Sequence, residues 1–288
     1  MQKVGIVILN YNDAETTIHL LEEIRNYEIL NQIVIVDNES TDNSYETLLK
    51  YCSNHIHILR SGHNGGYGYG NNVGIKFLIE QMKIPFCIIA NPDVEFEERT
   101  VEKLLRFMEE TDDCGVVTGK QIGRYASAWR DTSILGDIIF NSLVLNKIFK
   151  PRYYSKDYLS KKICQVYAVP GCFFMARSQA LVDIGMYDED FFLFEEEKVI
   201  AMKLQRQSWK TYLINDVEYK HNHSVSIKKS ITKLGESKRL VLRSNELYLK
   251  KYRGISKKYL PLLHLFYKYS IFESVLCGFV RGIIKKKG

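Results

Sequence analysis

Residues 86–93 read FCIIANPD, an apolar run that ends in the turn Asn91-Pro92-Asp93. Five consecutive apolar residues followed by turn-forming residues are typical of a strand that is buried on both faces of a sheet. Taken alone, the tripeptide predicts only a turn, because proline cannot extend a strand. Its carboxylate, however, stands where the strand ends, and from there it could hold a divalent cation against a diphosphate.

Three earlier segments have the same form. Each is an apolar run that stops at polar residues: Val4–Leu9 before Asn10, Ile33–Val36 before Asp37, and Ile56–Leu59 before Arg60 and Ser61. Helical patterns at 18–24, 45–49 and 73–79 follow the first three runs, so the order predicts right-handed crossovers and a parallel sheet. Ligands bind such sheets outside the carboxyl ends of the strands. We therefore expect the polar residues at these ends to face one pocket: Asn10, Asp37, Ser61 and Asp93.

A glycine-rich segment, HNGGYGYGNNVG at 63–74, follows the third run. Its glycines, Gly66 among them, would let the backbone approach a diphosphate or a sugar closely. The dinucleotide fingerprint G-x-G-x-x-G fails here because Val73 stands where its last glycine should be. The chain also lacks G-x-x-x-x-G-K-[ST], which argues against a P-loop nucleotide hydrolase.

Two clusters of ionisable residues lie downstream. Glu195-Glu196-Glu197 precede an apolar helical pattern at 200–204. Negative charge at a helix N-terminus is stabilising by roughly 0.3–1 kcal/mol per residue, which would explain the acids without any catalytic role. His221 and His223 flank Asn222 after a predicted strand end, and a His-x-His pair alone is a weak indication of metal binding.

Together these segments resemble the family 2 glycosyltransferases, in particular the branch that contains bacterial rhamnosyltransferases of surface polysaccharide synthesis. The similarity runs from about Val4 to Ser226. Besides the segments quoted above it rests on four others: the start at 4–12, the stretch 33–42, Pro170–Met175 and Ile184–Glu197.

The resemblance implies a GT-A fold, an α/β architecture with a Rossmann-like, mostly parallel sheet flanked by helices. It also implies an enzyme that inverts the anomeric centre and uses Mn²⁺ or Mg²⁺. We predict a glycosyltransferase domain at 1–227, with a nucleotide-sugar half at 1–119 and an acceptor and catalytic half at 120–227. Residues 228–288 are predicted to form a basic, helical C-terminal region.

The resemblance also implies roles for single residues. Asp37 would contact the pyrimidine base, with the backbone around Leu9 and Tyr11 beside it. The residues that would lie near the nucleotide or the sugar are Asn64, Gly66 and Asn72. Asp93 would bind the metal in a shortened form of the family's Asp-x-Asp, whose first position is Asn91 here. An amide oxygen is a weaker ligand for these cations than a carboxylate, so we expect modest metal affinity without substrate.

A third metal or diphosphate contact is implied at His221, with His223 as the alternative. Neutral imidazole is the form that binds metal, so activity is expected to fall as the pH drops below the histidine range.

Inverting transfer needs a base that takes the proton from the acceptor hydroxyl. In the family this base is the second acid of a Glu-Asp pair, which falls on Glu196-Glu197 and points to Glu197. Three successive acids leave the assignment open by one residue, so Glu196 remains a candidate.

Composition bounds the class of protein. The chain has 288 residues, 45% of them hydrophobic, enough for one large core or two smaller ones. Its six cysteines show no paired metal spacing, and no signal peptide precedes the first predicted strand. We therefore expect a cytoplasmic protein, or one at the inner face of the cell membrane.

Charge separates the C-terminal region from the rest. Residues 228–288 hold 16 Lys and Arg against three acids. Apolar residues recur there at helical spacing from Leu262 onward, before Lys285-Lys286-Lys287, which predicts an amphipathic helix too charged to span a bilayer. Such a helix suits an anionic membrane surface. Alternatively, the apolar stripe packs on the catalytic domain or on another subunit, in a homo-oligomer. Nucleic-acid binding is disfavoured because no nucleic-acid module accompanies the charge.

The predicted donor is a TDP- or UDP-sugar, with rhamnose as the leading sugar because Asn-Pro-Asp is common in that branch. The predicted acceptor is a saccharide carried on a polyprenyl diphosphate, in capsule, O-antigen or exopolysaccharide synthesis. The alternative is a catalytically silent scaffold that binds a nucleotide-sugar or a membrane, because Asn91 and the Glu-Glu pair depart from the family pattern.

Overall fold

The computed structural model describes residues 3–123, 127–150, 152–222 and 234–287. Its first four strands are the predicted ones: β1 Val4–Asn10, β2 Leu30–Asp37, β3 Ile56–Arg60 and β4 Phe86–Ala90. They pair in parallel in the order β3-β2-β1-β4. The predicted parallel sheet of the first half is thereby confirmed.

The second half extends the same sheet. Its strands are β5 Val94–Glu95, β6 Cys114–Gln121, β7 Ile163–Val166, β8 Phe173–Arg177 and β9 Lys210–His221. Strand β8 runs antiparallel between β4 and β6, and β9 lies parallel to β6. Both β5 and β7 pair antiparallel with β9. Because Ala90 pairs with Phe173, the turn after β4 meets the loop that precedes β8.

Helices cover both faces of the sheet. In the described ranges they are α1 Ala14–Ile24, α2 Ser44–Leu48, α3 Tyr67–Lys76, α4 Glu98–Glu110, α5 Ile134–Ile139, α6 Leu143–Phe149, α7 Lys156–Leu159, α8 Ser178–Asp183, α9 Glu196–Arg206, α10 Leu234–Lys251 and α11 Leu260–Lys287. Alternate residues of β1 point to opposite faces, as in any strand. Ile6 and Ile8 join the apolar cluster under α1 and α4, whereas Val7 joins the cluster under α3 and α9.

The glycine-rich segment differs from the prediction, because α3 begins at Tyr67, within the glycines. A Cβ on Gly70 would lie 2.3 Å from Leu9 Cδ1, and a Cβ on Gly74 would lie 2.5 Å from Val7 Cγ1. These two glycines therefore let a helix pack closely against β1. Within this glycine-rich segment, only the residues before the helix, such as Gly66, remain in a loop.

The C-terminal helices pack on the catalytic half. They share an apolar cluster with α9 that contains Val199, Met202, Tyr248, Leu249, Leu263 and Tyr267. The predicted apolar stripe of α11 lies on another face, however, since Leu262, Leu265 and Phe272 are 64–67% exposed. The helix thus has one face on the domain and a second, apolar face in solvent. Among the described residues, no helix combines the length and the apolar character needed to cross a bilayer.

Candidate active site

A cavity of about 590 Å³ opens where β1 and β4 end. Residues from both halves of the chain line it, including Leu9, Tyr11, Asn38, Asn64, Gly66, Tyr67, Asn91, Trp129, Tyr167, Gly171, Glu196, Glu197 and His221. Most of the site residues predicted from the sequence therefore come together. Asp37 and Asn72 do not line the cavity, and Asp93 contacts it through His221.

Asp37 supports the wall of the cavity instead of forming it. It is fully buried, and its carboxylate accepts hydrogen bonds from Asn10 Nδ2 (2.8 Å), Ser40 N (2.9 Å) and Ser40 Oγ (2.6 Å). The next residue, Asn38, lines the cavity and donates to Asn64 Oδ1 at 3.0 Å. At this strand end Asn38 lines the cavity and Asp37 does not, and the contact of Asp37 with the base stays a prediction.

Asn72 anchors a loop of the second half. Its Nδ2 donates to the Tyr187 carbonyl at 3.1 Å and to Glu189 Oε1 at 2.8 Å, and its Oδ1 accepts from Tyr187 N at 3.0 Å. The side chain is buried on the face of α3 turned toward that loop, away from the cavity. Asn72 therefore holds this loop in place, and its position near the nucleotide or the sugar stays a prediction.

The pairing of β5 with β9 brings Asp93 and His221 together. Val94 pairs with His221, and Asn222 N donates to the Asp93 carbonyl at 2.9 Å. His221 Nε2 then lies 3.0 Å from Asp93 Oδ1, with each side chain about 10% exposed. Burial alone would lower the pKa of His221, but its hydrogen bonds, that with Asp93 first, outweigh burial and raise the pKa to about 9. Without a cation, His221 is therefore protonated at neutral pH.

This pair suits a divalent cation. A carboxylate and an imidazole in contact are ligands that Mn²⁺ or Mg²⁺ accepts, and diphosphate oxygens can complete the coordination. The described ranges contain no group of three or more His, Cys, Asp or Glu side chains placed to hold a metal, so Asp93 and His221 are the two such ligands found there. His223, the alternative ligand, lies outside the described residues.

Tyr67, which the sequence analysis missed, connects the two halves of the site. Its hydroxyl lies 3.0 Å from Asn91 Oδ1 and 2.8 Å from the Gly171 carbonyl. Burial, with smaller contributions from Tyr187 and other neighbours, raises its pKa well above the ordinary tyrosine value, so the hydroxyl keeps its proton and can donate it. The only indication in the sequence is an aromatic residue next to two glycines. Ordinary loops show the same pattern, so it does not point to a site.

The acids follow a strained turn. Phe194 and Glu195 both have positive φ angles, 74° and 75°, and α9 begins at Glu196. Non-glycine residues in this region cost about 1–3 kcal/mol each and occur where the surrounding structure holds them. Glu197 lines the cavity, and its Oε1 accepts a hydrogen bond from Gly171 N at 3.3 Å.

Glu196 differs from its neighbour in its environment. Its side chain is buried, and its Oε1 has no hydrogen-bond partner among the described residues. Burial, and then the charge of Glu197, raise the pKa of Glu196 to about 8. At neutral pH Glu196 thus holds a proton, which makes it unsuited to act as the base.

The raised pKa predicts how stability depends on pH. Between about pH 4.3, the ordinary glutamate value, and pH 8, the folded protein keeps a proton that the unfolded chain has lost, so rising pH destabilises the fold. Glu196→Gln removes this penalty. We expect the difference in Tm between Glu196→Gln and the wild type to grow from pH 5 to about pH 8 and then to level off, which thermal melts can measure. A constant difference would contradict the assignment.

Buried polar and charged side chains of α5, α9 and α10 fix the turn. Lys198 forms ion pairs with Glu195 and with Asp137 of α5, whose carboxylate also accepts from Arg152 at 3.0 Å. From α10, Asn245 Nδ2 donates to Glu195 Oε1 at 3.0 Å. These contacts join residues up to 61 positions apart, and nothing in the sequence pattern indicated them.

A family model described as glycosyl transferase family 2 matches residues 5–185 of the chain. The chain belongs to glycosyl transferase family 2. The resemblance inferred from the motifs is thereby confirmed, and the matched range contains the turn at Asn91–Asp93 and Gly171 of the site.

Two relatives are similar to this glycosyltransferase in sequence. The low-salt glycan biosynthesis hexosyltransferase Agl10 of Haloferax volcanii is 24% identical over 226 residues, which make up 78% of this chain and 69% of the relative. The N-acetylglucosaminyl-diphospho-decaprenol L-rhamnosyltransferase of Mycobacterium tuberculosis is 23% identical over 208 residues, 67% of each protein.

Solved structures share the fold of this family 2 glycosyltransferase. The mannosyltransferase PcManGT from Pyrobaculum calidifontis, in complex with GDP-Man and Mn²⁺, superimposes with a TM-score of 0.62 at 13% identity, over 95% of this chain and 73% of that one. GalNAc-T7 with UDP, GalNAc and Mn²⁺ gives a TM-score of 0.62 at 14% identity, over 84% of this chain. The alignment spans about half of GalNAc-T7, 48%. At these identities the structures show the GT-A fold alone.

Proposed function

We propose that this glycosyltransferase moves a sugar, with inversion at the anomeric carbon, from a TDP- or UDP-sugar to a saccharide acceptor carried on a polyprenyl diphosphate. The observation that carries the proposal is the cavity itself, which is bordered by the Asp93–His221 pair and by Glu197. Hydrogen bonds of Tyr67 and Gly171 run from Asn91, two residues before Asp93, to Glu197. A cation site and a base on one cavity are what inverting transfer requires.

In this proposal, Glu197 is the base, and Asp93 and His221 form the cation site. Glu197 accepts the proton of the acceptor hydroxyl. At the same time the hydroxyl oxygen forms a bond to the anomeric carbon, and the bond from that carbon to the diphosphate breaks. Gly171 N holds one oxygen of the carboxylate in place. Asp93 and His221 would hold Mn²⁺ or Mg²⁺, and the cation would offset the charge that develops on the leaving diphosphate.

Aromatic side chains border the acceptor half of the cavity. Trp129 forms an isolated β-bridge with Ala168, and this bridge brings Trp129 and Tyr167 to the cavity wall. Aromatic rings pack against the apolar faces of sugar rings, so this wall suits a saccharide acceptor. The unassigned stretch 120–169 would thus contribute to acceptor binding.

The relatives support the donor and the acceptor. The name of the M. tuberculosis relative gives an L-rhamnosyl donor group and an acceptor on decaprenol diphosphate, and Agl10 is named a hexosyltransferase. We propose rhamnose as the first donor sugar to test, and synthesis of a surface polysaccharide as the process. All six cysteines are free thiols, which suits the reducing cytoplasm proposed for the enzyme.

A donor screen tests the proposal. We expect one of the UDP-, TDP- or GDP-sugars to be hydrolysed slowly in the presence of Mn²⁺ or Mg²⁺, and Asp93→Ala to lower this rate by about 100-fold or more, because metal stabilisation is worth several kcal/mol. Release of the nucleoside diphosphate is the measurement.

Asp112→Ala provides the matched control, since Asp112 is an exposed acid outside the cavity. It should keep the wild-type rate. Equal rates for Asp93→Ala and the wild type, or full activity in EDTA, would contradict the assigned role of Asp93.

A further inference from the structure

The C-terminal helix α11 exposes an apolar stripe that the domain does not cover. Its members recur at spacings of three and four residues: Leu262, Leu265, Tyr269, Phe272 and Leu276, each 44–67% exposed. A row of this size left in solvent on a helix whose opposite face is buried indicates a surface that meets another apolar phase.

The short helix α6 adds to this stripe. Val144, Ile148 and Phe149 are 48–65% exposed, and the last two lie at the end of the helix. The two helices adjoin at Glu273 of α11, whose carboxylate accepts from Leu143 N and Val144 N at 2.6 and 2.9 Å. The hydroxyl of Tyr269, a member of the stripe, lies 3.2 Å from the same carboxylate. We call the exposed residues of both helices the α6–α11 surface.

The charged residues near the α6–α11 surface are almost all positive. Exposed lysines lie near the apolar residues in the sequence: Lys147 on α6, Lys150 directly after it, Lys257 and Lys258 before α11, and Lys268 on α11. The sequence at 140–155 and 257–287 contains a single acid, Glu273, and it is buried. Two copies meeting face to face here would bring like charges together, whereas an anionic surface would be complementary.

We propose that the α6–α11 surface docks on an anionic lipid bilayer, with Ile148 and Phe149 at the tip of α6 entering the headgroup region. An apolar stripe beside lysines is the pattern of helices that lie in this interface, and each basic residue near it adds roughly 1 kcal/mol. The inference rests on the proposed function and extends it, because it would bring the enzyme to the surface that carries a lipid-linked acceptor. The docking itself can be measured without catalysis.

Vesicle sedimentation tests the docking. The full chain should bind vesicles of phosphatidylglycerol and phosphatidylcholine, and should bind pure phosphatidylcholine at least tenfold more weakly. The double substitution Ile148→Gln with Phe149→Gln should weaken binding by at least tenfold, since two exposed apolar side chains are lost. Val182→Gln is the matched control, because Val182 is an apolar residue of α8 exposed to a similar extent, 47%. It should bind as the wild type does.

A second variant tests the charge separately. Lys147→Gln with Lys268→Gln should weaken binding to the anionic vesicles and reduce its dependence on salt. Donor hydrolysis in solution should be unchanged in every variant, so a failure of docking is distinguished from a failure of the proposed function. Wild-type binding by both double variants would overturn the proposal. A dimer in light scattering that Ile148→Gln with Phe149→Gln dissociates would assign the surface to a second copy and would also overturn it.

Discussion

Replacing Glu197 by Gln is expected to lower turnover by about 10²–10⁴-fold, the usual contribution of a positioned general base. The amide cannot accept the proton of the acceptor hydroxyl at the moment of attack. It can still accept the hydrogen bond that Gly171 N donates to Oε1 at 3.3 Å, so the local geometry should persist. Donor affinity should therefore stay near the wild-type value, because the pair that would hold the metal and diphosphate, Asp93 and His221, is untouched.

Single-turnover transfer and calorimetric donor binding, measured side by side, separate these two effects. Glu196→Gln is the natural control, since it makes the same change one residue earlier in the chain. The carboxyl of Glu196 already holds a proton at neutral pH, as its raised pKa of about 8 indicates, so Gln should preserve most of the turnover. If Glu196→Gln lost more activity than Glu197→Gln, the base would be the other acid.

The fold could be predicted where its determinants are local. The bounds of β4 were predicted to the residue, and the other three parallel strands to within three residues, because a buried strand appears as an unbroken apolar run. The position of β8 between β4 and β6 was not predicted. These pairings join residues 58 or more positions apart, and an apolar run carries no information about its partner.

The same distinction explains why two predicted site residues, Asp37 and Asn72, do not line the cavity. Asp37 and Asn38 both follow β2, and the sequence cannot say which of the two side chains points into the cavity. Alternation along the strand places Asp37 among Asn10 and Ser40, where it is fully buried. Asn72 was expected near the donor because the glycine-rich segment was interpreted as a loop. In a helix that begins at Tyr67, this residue faces the loop at 187–189 instead.

The contacts that hold the acids were beyond sequence reasoning. Glu195 accepts a hydrogen bond from Asn245 of α10, and Lys198 donates one to Asp137 of α5. The turn before Glu197 therefore depends on two helices that contain no recognisable motif. The C-terminal region was predicted to be basic and helical, with an apolar stripe that meets a membrane, the catalytic domain or another subunit. No sequence pattern indicated that its helix α10 contacts the turn before Glu197, also through Ser244 Oγ, which donates to the Leu193 carbonyl at 2.6 Å.

Replacing Gly66 by Ala is expected to abolish most donor binding and turnover together. Gly66 has φ 92° and ψ −173°, a conformation that is essentially restricted to glycine and costs other residues about 1–3 kcal/mol. A Cβ there would lie 2.1 Å from the Phe192 carbonyl oxygen, the acceptor of the 2.8 Å hydrogen bond from Tyr67 N. To relieve this clash, the chain at 192 must move away from α3, and the turn that presents Glu197 must move with it.

The Gly62→Ala variant is the control that distinguishes the clash with Phe192 from the conformational cost of a positive φ angle. Gly62 also has a positive φ, 89°, but a Cβ there would meet nothing within 4 Å. Its alanine variant should lose some stability in thermal melts while it keeps donor binding and turnover. Gly66→Ala should lose activity to a much greater extent than its change in Tm would explain, because the displaced segment carries both a cavity wall and the base. Equal effects of the two substitutions would show that strain alone matters, and that the contact of Gly66 with Phe192 does not shape the site.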